Sequence, residues 1–501
     1  MTAMRLSALA ILLASAAVPA LSADLRIGLQ DDADILDPDQ SRTFVGRIVY
    51  TALCDKLVDI TPGLEIVPQL ATSWTWSEDG KTLTMTLREG VTFHDGAPFD
   101  AEAAKANIER SKTLPESRRK SELASVESVE VTGPLEVALR LSAPDATLMA
   151  QLADRAGMMV SPTAAGVGAD FGLAPVCSGP FRFVERVQQD RIVLERFADY
   201  WNADAITIDR VIYLPIPDTT VRLANLRSGD LDMIERLAAT DVAQAAADPT
   251  LAVMKIDGLG YQGITINVAN GDRAATPMGQ DARVRQAFSL AIDRAALNQV
   301  VFDGVFTPGN QPFPPSSPWF DQRNPVPARD VAAAKALLAE AGIDRLAVEV
   351  QVANNPVQQN LMQVVQAMVA EAGFDVTLQA KEFATLLADQ TAGAYQMSQV
   401  GWSGRIDPDG NIHQFATCAG GINDSKFCDP AVDALLDAAR AMPDPAARKQ
   451  KYDAANEILN VQTPILYLYH QPWIWALDRK VEGFVAYPDG MIRLEGVTVA
   501  N

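Results

Sequence analysis

The sequence is poor in the residue types on which many catalytic and metal sites depend. Its 501 residues include four cysteines and three histidines, and the histidines (His94, His413 and His470) are far apart. It contains no Cys-x-x-Cys pair, no Walker loop and no His-Glu-x-x-His motif. These absences argue against a zinc site, a nucleotide-hydrolysing site and a metalloprotease site. We therefore expect no catalytic residue, no bound metal and no cofactor.

Positive charge is also scarce. Lys and Arg together number 42, whereas Asp and Glu number 63, which gives a net charge of −21. Binding to nucleic acid requires clustered cations that neutralise phosphates, and the sequence shows no such cluster. We expect no nucleic-acid partner, and the acidic balance is typical of a surface that keeps a protein soluble.

Long apolar runs are missing after the first twenty or so residues. Arg5 precedes a short apolar run, Leu6–Val18, which is followed by small residues that permit cleavage after Ala20 or Ala23. This pattern predicts a signal peptide over residues 1–23. No cysteine lies near the cleavage site, so a lipid anchor is not expected. The mature protein is predicted to be soluble and periplasmic.

The four cysteines suggest two disulfides, because an exported protein reaches an oxidising compartment. Cys418 and Cys428 enclose a polar, glycine-rich segment, so local closure is the natural pairing. Such a short loop contributes roughly 2–3 kcal/mol by chain-entropy reasoning. The pair Cys54–Cys177 then follows by elimination. Metal ligation by these thiols is the rival interpretation, and the spacing disfavours it.

Alternating apolar residues predict a sheet-rich unit in the first half of the chain. One hairpin has Asp79-Gly80 in its turn, and a second is expected around Gly133-Pro134. A helix is expected near Ala101–Ser111.

Strands and helices alternate after residue 265. Apolar residues recur at helical spacing over Val284–Val301. Strand Ala347–Val352, helix Pro356–Ala372 and strand Phe374–Ala380 predict a parallel strand pair with a right-handed crossover. No flexible linker separates this α/β lobe from the rest, so we expect hinge strands to cross between two lobes. The interlobe crevice is then the expected ligand site.

Two segments superficially resemble nucleophile motifs. Ser117-Arg118-Arg119-Lys120 has Ser-x-x-Lys spacing, but its charge predicts a solvated helix face. Gly401-Trp402-Ser403-Gly404 lacks the glycine that a nucleophile elbow needs two residues after its serine. An enzymatic function is therefore not expected.

The segment Leu70–Gly96, which contains Leu-Ala-Thr-Ser-Trp and Val-Thr-Phe-His-Asp-Gly, closely resembles the signature of family 5 solute-binding proteins. These proteins bind peptides, nickel or opines for ABC importers. Four further segments resemble family motifs: Leu36-Asp37-Pro38, Cys177-Ser178-Gly179-Pro180-Phe181, Val284-Arg285-Gln286-Ala287-Phe288 and Asp424-Ser425-Lys426-Phe427-Cys428-Asp429. The resemblance covers nearly the whole mature chain.

This resemblance implies an α/β, two-lobe periplasmic-binding-protein fold with an extra sheet-rich subdomain and hinge-linked lobes. It implies a monomer that binds a small molecule or peptide by closure and docks on an ABC permease/ATPase complex in the inner membrane. The implied domains are a signal peptide (1–23), lobe I (24–65), subdomain Ib (66–174), lobe I again (175–262), lobe II (263–477) and a return to lobe I (478–501).

The ligand site shows one departure from the family pattern. Peptide-binding members carry Trp-x-x-Asp in the crevice, and this chain has Trp402-Ser403-Gly404-Arg405. A guanidinium at Arg405 would repel an ammonium and favour a carboxylate or phosphate. We hypothesise that the ligand presents an anionic group to Arg405. Alternatively, Asp407 takes the amino-binding role and Arg405 points to solvent.

Other candidate ligand residues are Thr43, Phe44, Tyr469 and Gln471, since the family places these segments at the crevice. For Phe44 and Tyr469 a core position is an equal alternative. The expected ligand is a short peptide or a peptide-like, opine-type solute. Alternatives are a nickel–metallophore complex and, from another class, an exported hydrolase or chaperone-like binder. A hydrolase would need a nucleophile–base pair that the sequence does not offer.

Overall fold

The computed structural model describes residues 23–166 and 171–500. The predicted signal peptide lies outside these residues except for Ala23. Within the described ranges, no helix combines the length and apolar character needed to cross a membrane.

Strands build most of the molecular frame. In chain order they are β1 (Asp24–Leu29), β2 (Val58–Ile60), β3 (Ile66–Pro68), β4 (Ala71–Trp76), β5 (Thr82–Leu87), β6 (Val126–Gly133), β7 (Glu136–Leu141), β8 (Phe181–Val187), β9 (Arg191–Arg196), β10 (Arg210–Pro215), β11 (Met233–Ile234), β12 (Leu251–Asp257), β13 (Tyr261–Ile266), β14 (Thr307–Pro308), β15 (Leu346–Ala353), β16 (Phe374–Lys381), β17 (Met397–Trp402), β18 (Ile465–His470), β19 (Pro472–Asp478), β20 (Val481–Glu482) and β21 (Thr498–Val499).

Helices cover the sheets. In chain order they are α1 (Phe44–Leu53), α2 (Ala101–Thr113), α3 (Leu148–Leu152), α4 (Pro162–Ala165), α5 (Thr219–Ser228), α6 (Val242–Ala246), α7 (Pro277–Gln280), α8 (Ala282–Leu290), α9 (Arg294–Phe302), α10 (Val331–Glu340), α11 (Pro356–Ala370), α12 (Phe383–Ala392), α13 (Asp409–Ala416), α14 (Pro430–Arg440) and α15 (Pro445–Gln462).

The first lobe is built on a seven-stranded sheet in the order β12-β19-β11-β1-β10-β9-β8. β1 lies in the interior of this sheet and runs parallel to both β10 and β11. Its residues Leu25, Ile27 and Leu29 are buried in one apolar core with α1. Because β1 and β11 are parallel, the residues that follow them emerge at the same edge of the sheet.

The subdomain is a four-stranded antiparallel sheet in the order β4-β5-β7-β6, packed on α2. Both predicted hairpins are confirmed: β4 pairs with β5, and β6 pairs with β7. Gly80 in the first turn has a φ of +68°, a value that suits glycine. Asp100 caps α2 by accepting a hydrogen bond from the Ala103 amide, which confirms the helix predicted there.

The second lobe is built on a six-stranded sheet in the order β14-β18-β13-β17-β15-β16. The predicted strand–helix–strand unit is confirmed, since β15 and β16 are parallel and α11 connects them. The helical spacing over Val284–Val301 corresponds to two helices, α8 and α9. The second begins at Arg294 because the Asp293 carboxylate caps it by accepting from the Ala296 amide.

Two chain crossings join the lobes. β12 ends in the first sheet at Asp257 and β13 begins in the second at Tyr261. The chain returns between His470, which ends β18, and Pro472, which begins β19. The return therefore lies earlier than the predicted boundary at 477, because β18 belongs to the second sheet and β19, which begins at Pro472, belongs to the first.

The two disulfides pair as predicted. Cys54 is bonded to Cys177 across 123 residues, and Cys418 is bonded to Cys428 across ten. The first bond ties the end of α1 to the segment before β8, inside the first lobe. The second closes the loop before α14 in the second lobe.

Candidate functional site

A cavity lies in the crevice where the first lobe, the subdomain and the second lobe meet. We call it the crevice cavity. In the first lobe its wall includes Asp31, which follows β1, and Arg236, which follows β11. In the second lobe it includes Asn355 after β15 and Ser403 after β17. The carboxyl ends of parallel strands therefore face the cavity from both sides, as is usual for ligand sites in α/β folds.

The first turn of α1 supplies another part of this wall. Phe44 and Arg47, one helical turn apart, both line the cavity. Phe44 stacks on Trp473, with ring centroids 4.3 Å apart and planes within 2°. Thr43, which we predicted to contact ligand, is fully buried instead. Its hydroxyl caps α1 at the Gly46 amide and donates to Asp34, so its role is to start the helix.

One end of the crevice cavity is crowded with arginines. Four of them, which we call the arginine cluster, are Arg47, Arg119, Arg155 and Arg405. The first three line the cavity, and Arg119 and Arg155 are each only 1% exposed. Two carboxylates offset them: Asp154 pairs with Arg47 (3.0 Å) and Arg405, while Glu122 pairs with Arg119.

The electrostatics of this end are dominated by positive charge. Burial alone would raise the pKa of Asp154, but Arg405, Arg47 and the two remaining arginines outweigh it and hold that pKa well below its usual value. Burial and the neighbouring Arg119 lower the pKa of Arg155 to about 10. Among the described residues, the Nε groups of Arg119 and Arg155 have no hydrogen-bond partner.

Trp402 lines the crevice cavity, but Arg405 lies behind it. The Arg405 guanidinium stacks 4.1 Å from the centre of the Trp402 ring and forms its ion pair with Asp154 of the subdomain. Its Nη1 donates to the Gly404 carbonyl at 2.8 Å. The predicted contact between Arg405 and the ligand therefore has no counterpart in this geometry, because an internal carboxylate already occupies the guanidinium.

Asp407 does not face the cavity either. Its two carboxylate oxygens accept hydrogen bonds from Arg448, at 2.9 and 2.7 Å, on α15. This bidentate ion pair secures the loop before α13 and leaves no free carboxylate for a ligand amino group. Within the described part of the chain, no group of three or more His, Cys, Asp and Glu side chains could hold a metal ion.

Asp31 gives another part of the crevice wall a different character from the arginine cluster. It lies on the cavity wall, is 7% exposed and accepts a hydrogen bond from the Gln30 side-chain amide at 3.2 Å. Burial raises the pKa of Asp31 to about 6, and Arg236 only partly opposes this. Arg236 instead lies over the rings of Phe44 (4.7 Å) and Trp473 (5.3 Å).

A second, smaller cavity adjoins the first on the hinge side. We call it the aromatic chamber, because Phe302, Phe306 and Tyr469 form a cluster in its wall with ring centroids 4.3 to 5.5 Å apart. Tyr469 and Gln471, which we predicted as ligand contacts, both lie here rather than on the crevice cavity.

Several residues of the crevice wall were missed in the sequence, and Arg119 is the most instructive. Ser117–Lys120 was predicted to be a solvated helix face, which is wrong. The segment is not helical, and Arg119 is buried against Glu122 at the cavity. The signal for Asp31 was present: polar residues directly after a buried strand are candidates for a ligand site.

The sequence and the fold both have relatives among characterised proteins. Residues 65–423 match the family described as bacterial extracellular solute-binding proteins, family 5 Middle. The glutathione-binding protein GsiB of Salmonella paratyphi A is 28% identical, over 97% of this chain and 96% of its own length. The dipeptide-binding protein of Escherichia coli K12 is 29% identical, over 89% of each chain.

A solved structure extends the comparison to three dimensions. The protein AgaA of A. tumefaciens R10, in complex with agropinic acid, superposes with a TM-score of 0.85 at 27% identity. The superposition covers 95% of this chain and 99% of AgaA. The chain thus belongs to the bacterial extracellular solute-binding proteins of family 5, the solute-capturing components of ABC importers.

Proposed function

We propose that the crevice cavity binds a short peptide or a peptide-like, opine-type solute whose carboxylate is held at the arginine cluster. The observation that carries this proposal is the imbalance of charge at that end. Four guanidinium groups lie there with two carboxylates, Asp154 and Glu122, which leaves a surplus of two positive charges.

A buried surplus of this kind is expensive unless something neutralises it. An unpaired ion inside a protein costs several kcal/mol even after relaxation. The unpartnered Nε groups of Arg119 and Arg155 add to this cost, because buried donors normally have acceptors. A ligand carboxylate would supply both the charge and the acceptors, so closure around an anionic ligand is favoured over closure around a neutral one.

Asp31 suits the other end of such a ligand. Among the residues that the structure describes, Asp31 forms no ion pair, and a buried carboxylate with a raised pKa is a good partner for an ammonium group. A zwitterionic peptide would place its carboxylate at Arg119 and Arg155 and its amino group towards Asp31. An opine-type solute would use the arginine end alone. Glutathione, dipeptides and agropinic acid, bound by the relatives, all carry a carboxylate.

The physiological setting follows from the family. We propose that the mature protein is a periplasmic monomer that docks on an ABC permease/ATPase complex and performs no catalysis itself. The support is the family membership together with two lobes that close around one cavity. The carboxylates of a nickel chelator could also pair with the arginine cluster, so the experiment includes chelated nickel.

The experiment is a thermal-shift screen with glutathione, dipeptides, agropinic acid, a neutral sugar and chelated nickel. Carboxylate-bearing compounds should stabilise the protein saturably, by about 2.7 kcal/mol at a hundredfold excess over the dissociation constant. The neutral sugar should have no effect. Stabilisation by the sugar alone would overturn the proposal, and stabilisation by chelated nickel alone would replace the peptide or opine with a metallophore.

A further inference from the structure

The aromatic chamber opens beside the crevice cavity rather than apart from it. Gln30, Arg236 and Gln358 belong to the walls of both, so these three side chains form a neck between the two spaces. The chamber wall comes from both lobes: Leu237 and Thr240 follow β11 in the first, whereas Phe306 and Val357 belong to the second. A ligand enclosed by the crevice could therefore reach into the chamber.

The chamber wall selects against charge. It contains no Asp or Glu among the described lining residues, and its one charged member is Arg236 at the neck. Apolar and aromatic side chains form much of the remaining surface, with Phe302, Phe306 and Tyr469 stacked in one wall. Beyond Arg236 at the neck, a carboxylate or ammonium placed in the chamber would lose hydration without gaining an opposite charge, whereas an apolar group has little hydration to lose.

The neck carries polar atoms that lack hydrogen bonds. Among the described residues, the Oε1 atom of Gln358 is buried without a hydrogen bond, and the Nε of Arg236 has only an ion-pair contact, 3.5 Å from Oε2 of Glu235. The backbone amide of Gln358 donates to the Asn355 side chain at 3.0 Å, and its side chain makes a long contact, 3.5 Å, from Nε2 to the Tyr469 hydroxyl. Gln358 Oε1 can accept from a ligand N–H and Arg236 Nε can donate to a ligand C=O, so the neck offers the groups that a ligand amide needs.

We propose that the aromatic chamber is a subsite for an uncharged, apolar side group of the ligand, joined through an amide that lies in the neck. The inference rests on the proposed function, because it takes the main part of the ligand to be a carboxylate-bearing solute in the crevice cavity. It narrows that class to compounds with a bulky apolar substituent, such as a dipeptide with one leucine or phenylalanine.

The test is calorimetric titration with glycylglycine, glycyl-leucine and leucyl-glycine, which have the same charges. The better leucine peptide should bind at least about tenfold more tightly than glycylglycine, the gain expected for burying an apolar side chain. Filling the chamber from either lobe, by Val357→Phe or Thr240→Phe, should reduce this ratio to about one. Val300→Phe is the matched control, because Val300 lies on α9 beside the chamber but is 62% exposed. It should keep the ratio.

Benzyl alcohol provides a second readout that does not depend on the peptide. Saturation-transfer NMR should detect its binding to the unmodified protein and to Val300→Phe, and not to the two filled variants. The subsite would be overturned if the unmodified protein bound the better leucine dipeptide no more tightly than glycylglycine. It would also be overturned if both filled variants kept the affinity ratio of the unmodified protein. If no peptide binds, the peptide part of the proposed function fails, and the subsite is judged by benzyl alcohol alone. Loss of benzyl alcohol binding in the two filled variants would support the subsite, and any other result would overturn it.

Discussion

Arg42 of the first lobe and Asp424 of the second form an ion pair across the crevice, with Nη2 and Oδ2 2.6 Å apart. The same guanidinium donates to the hydroxyl of Thr391 (2.7 Å) and to the carbonyl of Leu387. Arg47 adds a second bridge, from its Nη1 to the Ser403 hydroxyl at 3.1 Å. The lobes are therefore closed, and contacts between side chains hold them so.

Removing the cross-lobe ion pair should favour the open form. Arg42→Ala deletes three hydrogen bonds between the lobes, and the loss of a charge-assisted bond at a largely buried site is worth about 2 kcal/mol. The open fraction without ligand should rise roughly thirtyfold, and small-angle X-ray scattering should show a larger radius of gyration. Arg140→Ala is the control, since Arg140 pairs with Glu130 within one sheet. An unchanged radius for Arg42→Ala would contradict this role.

Arg405 should matter for stability more than for ligand contact. Arg405→Ala leaves Asp154 buried with one arginine fewer, and breaking a buried ion pair costs about 3–5 kcal/mol. Denaturant unfolding should show this loss, and a double-mutant cycle with Asp154→Asn should assign it to the pair. If Arg405→Ala leaves stability intact and weakens ligand binding at least about thirtyfold, Arg405 contacts the ligand after all.

The ion pair of Arg405 could not be predicted from the sequence, whereas much of the fold could. The fold was accessible, because hairpin turns, helix caps and strand–helix alternation are local patterns that β4–β5, α2 and β15–α11–β16 all obey. The partner of a charged side chain is a different matter. Asp154 lies in the subdomain and Arg405 in the second lobe, so only the closed tertiary structure brings them together. Composition and spacing contain no record of that pairing.

Asp31 should make stability depend on pH. Its pKa is about 6 in the folded protein against 3.8 as the ordinary value, so the folded state binds the proton more tightly. Stability should then fall as pH rises from about 4 to 6, by up to about 3 kcal/mol in total. Denaturant unfolding at pH 4 and pH 7 measures this, with Asp31→Asn as the comparison. In Asp31→Asn, the free energy of unfolding should fall less between pH 4 and pH 7 than in the unmodified protein. An equal fall in the two proteins would contradict a raised pKa at Asp31.

The position of Asp31 at the cavity could be predicted from the sequence only in part. The sequence shows an apolar stretch before Asp31 and then a turn rich in aspartate, residues 31–39. Most of the other turn carboxylates have structural partners, such as Asp37 and Asp39 with Arg110. Which carboxylate of the turn stays unpaired at the cavity depends on distant residues, Glu235 and Arg236 among them.

The most direct test of the account compares a ligand carboxylate with its amide. The tightest carboxylate-bearing compound from the screen and its carboxamide should be titrated by calorimetry into the unmodified protein, Arg119→Gln and Arg155→Gln. Amidation should weaken binding to the unmodified protein at least about thirtyfold, since a buried charge pair loses one partner. Both variants should bind the acid more weakly and discriminate less. Equal affinity of the unmodified protein for acid and amide would contradict recognition of a carboxylate by the arginine cluster.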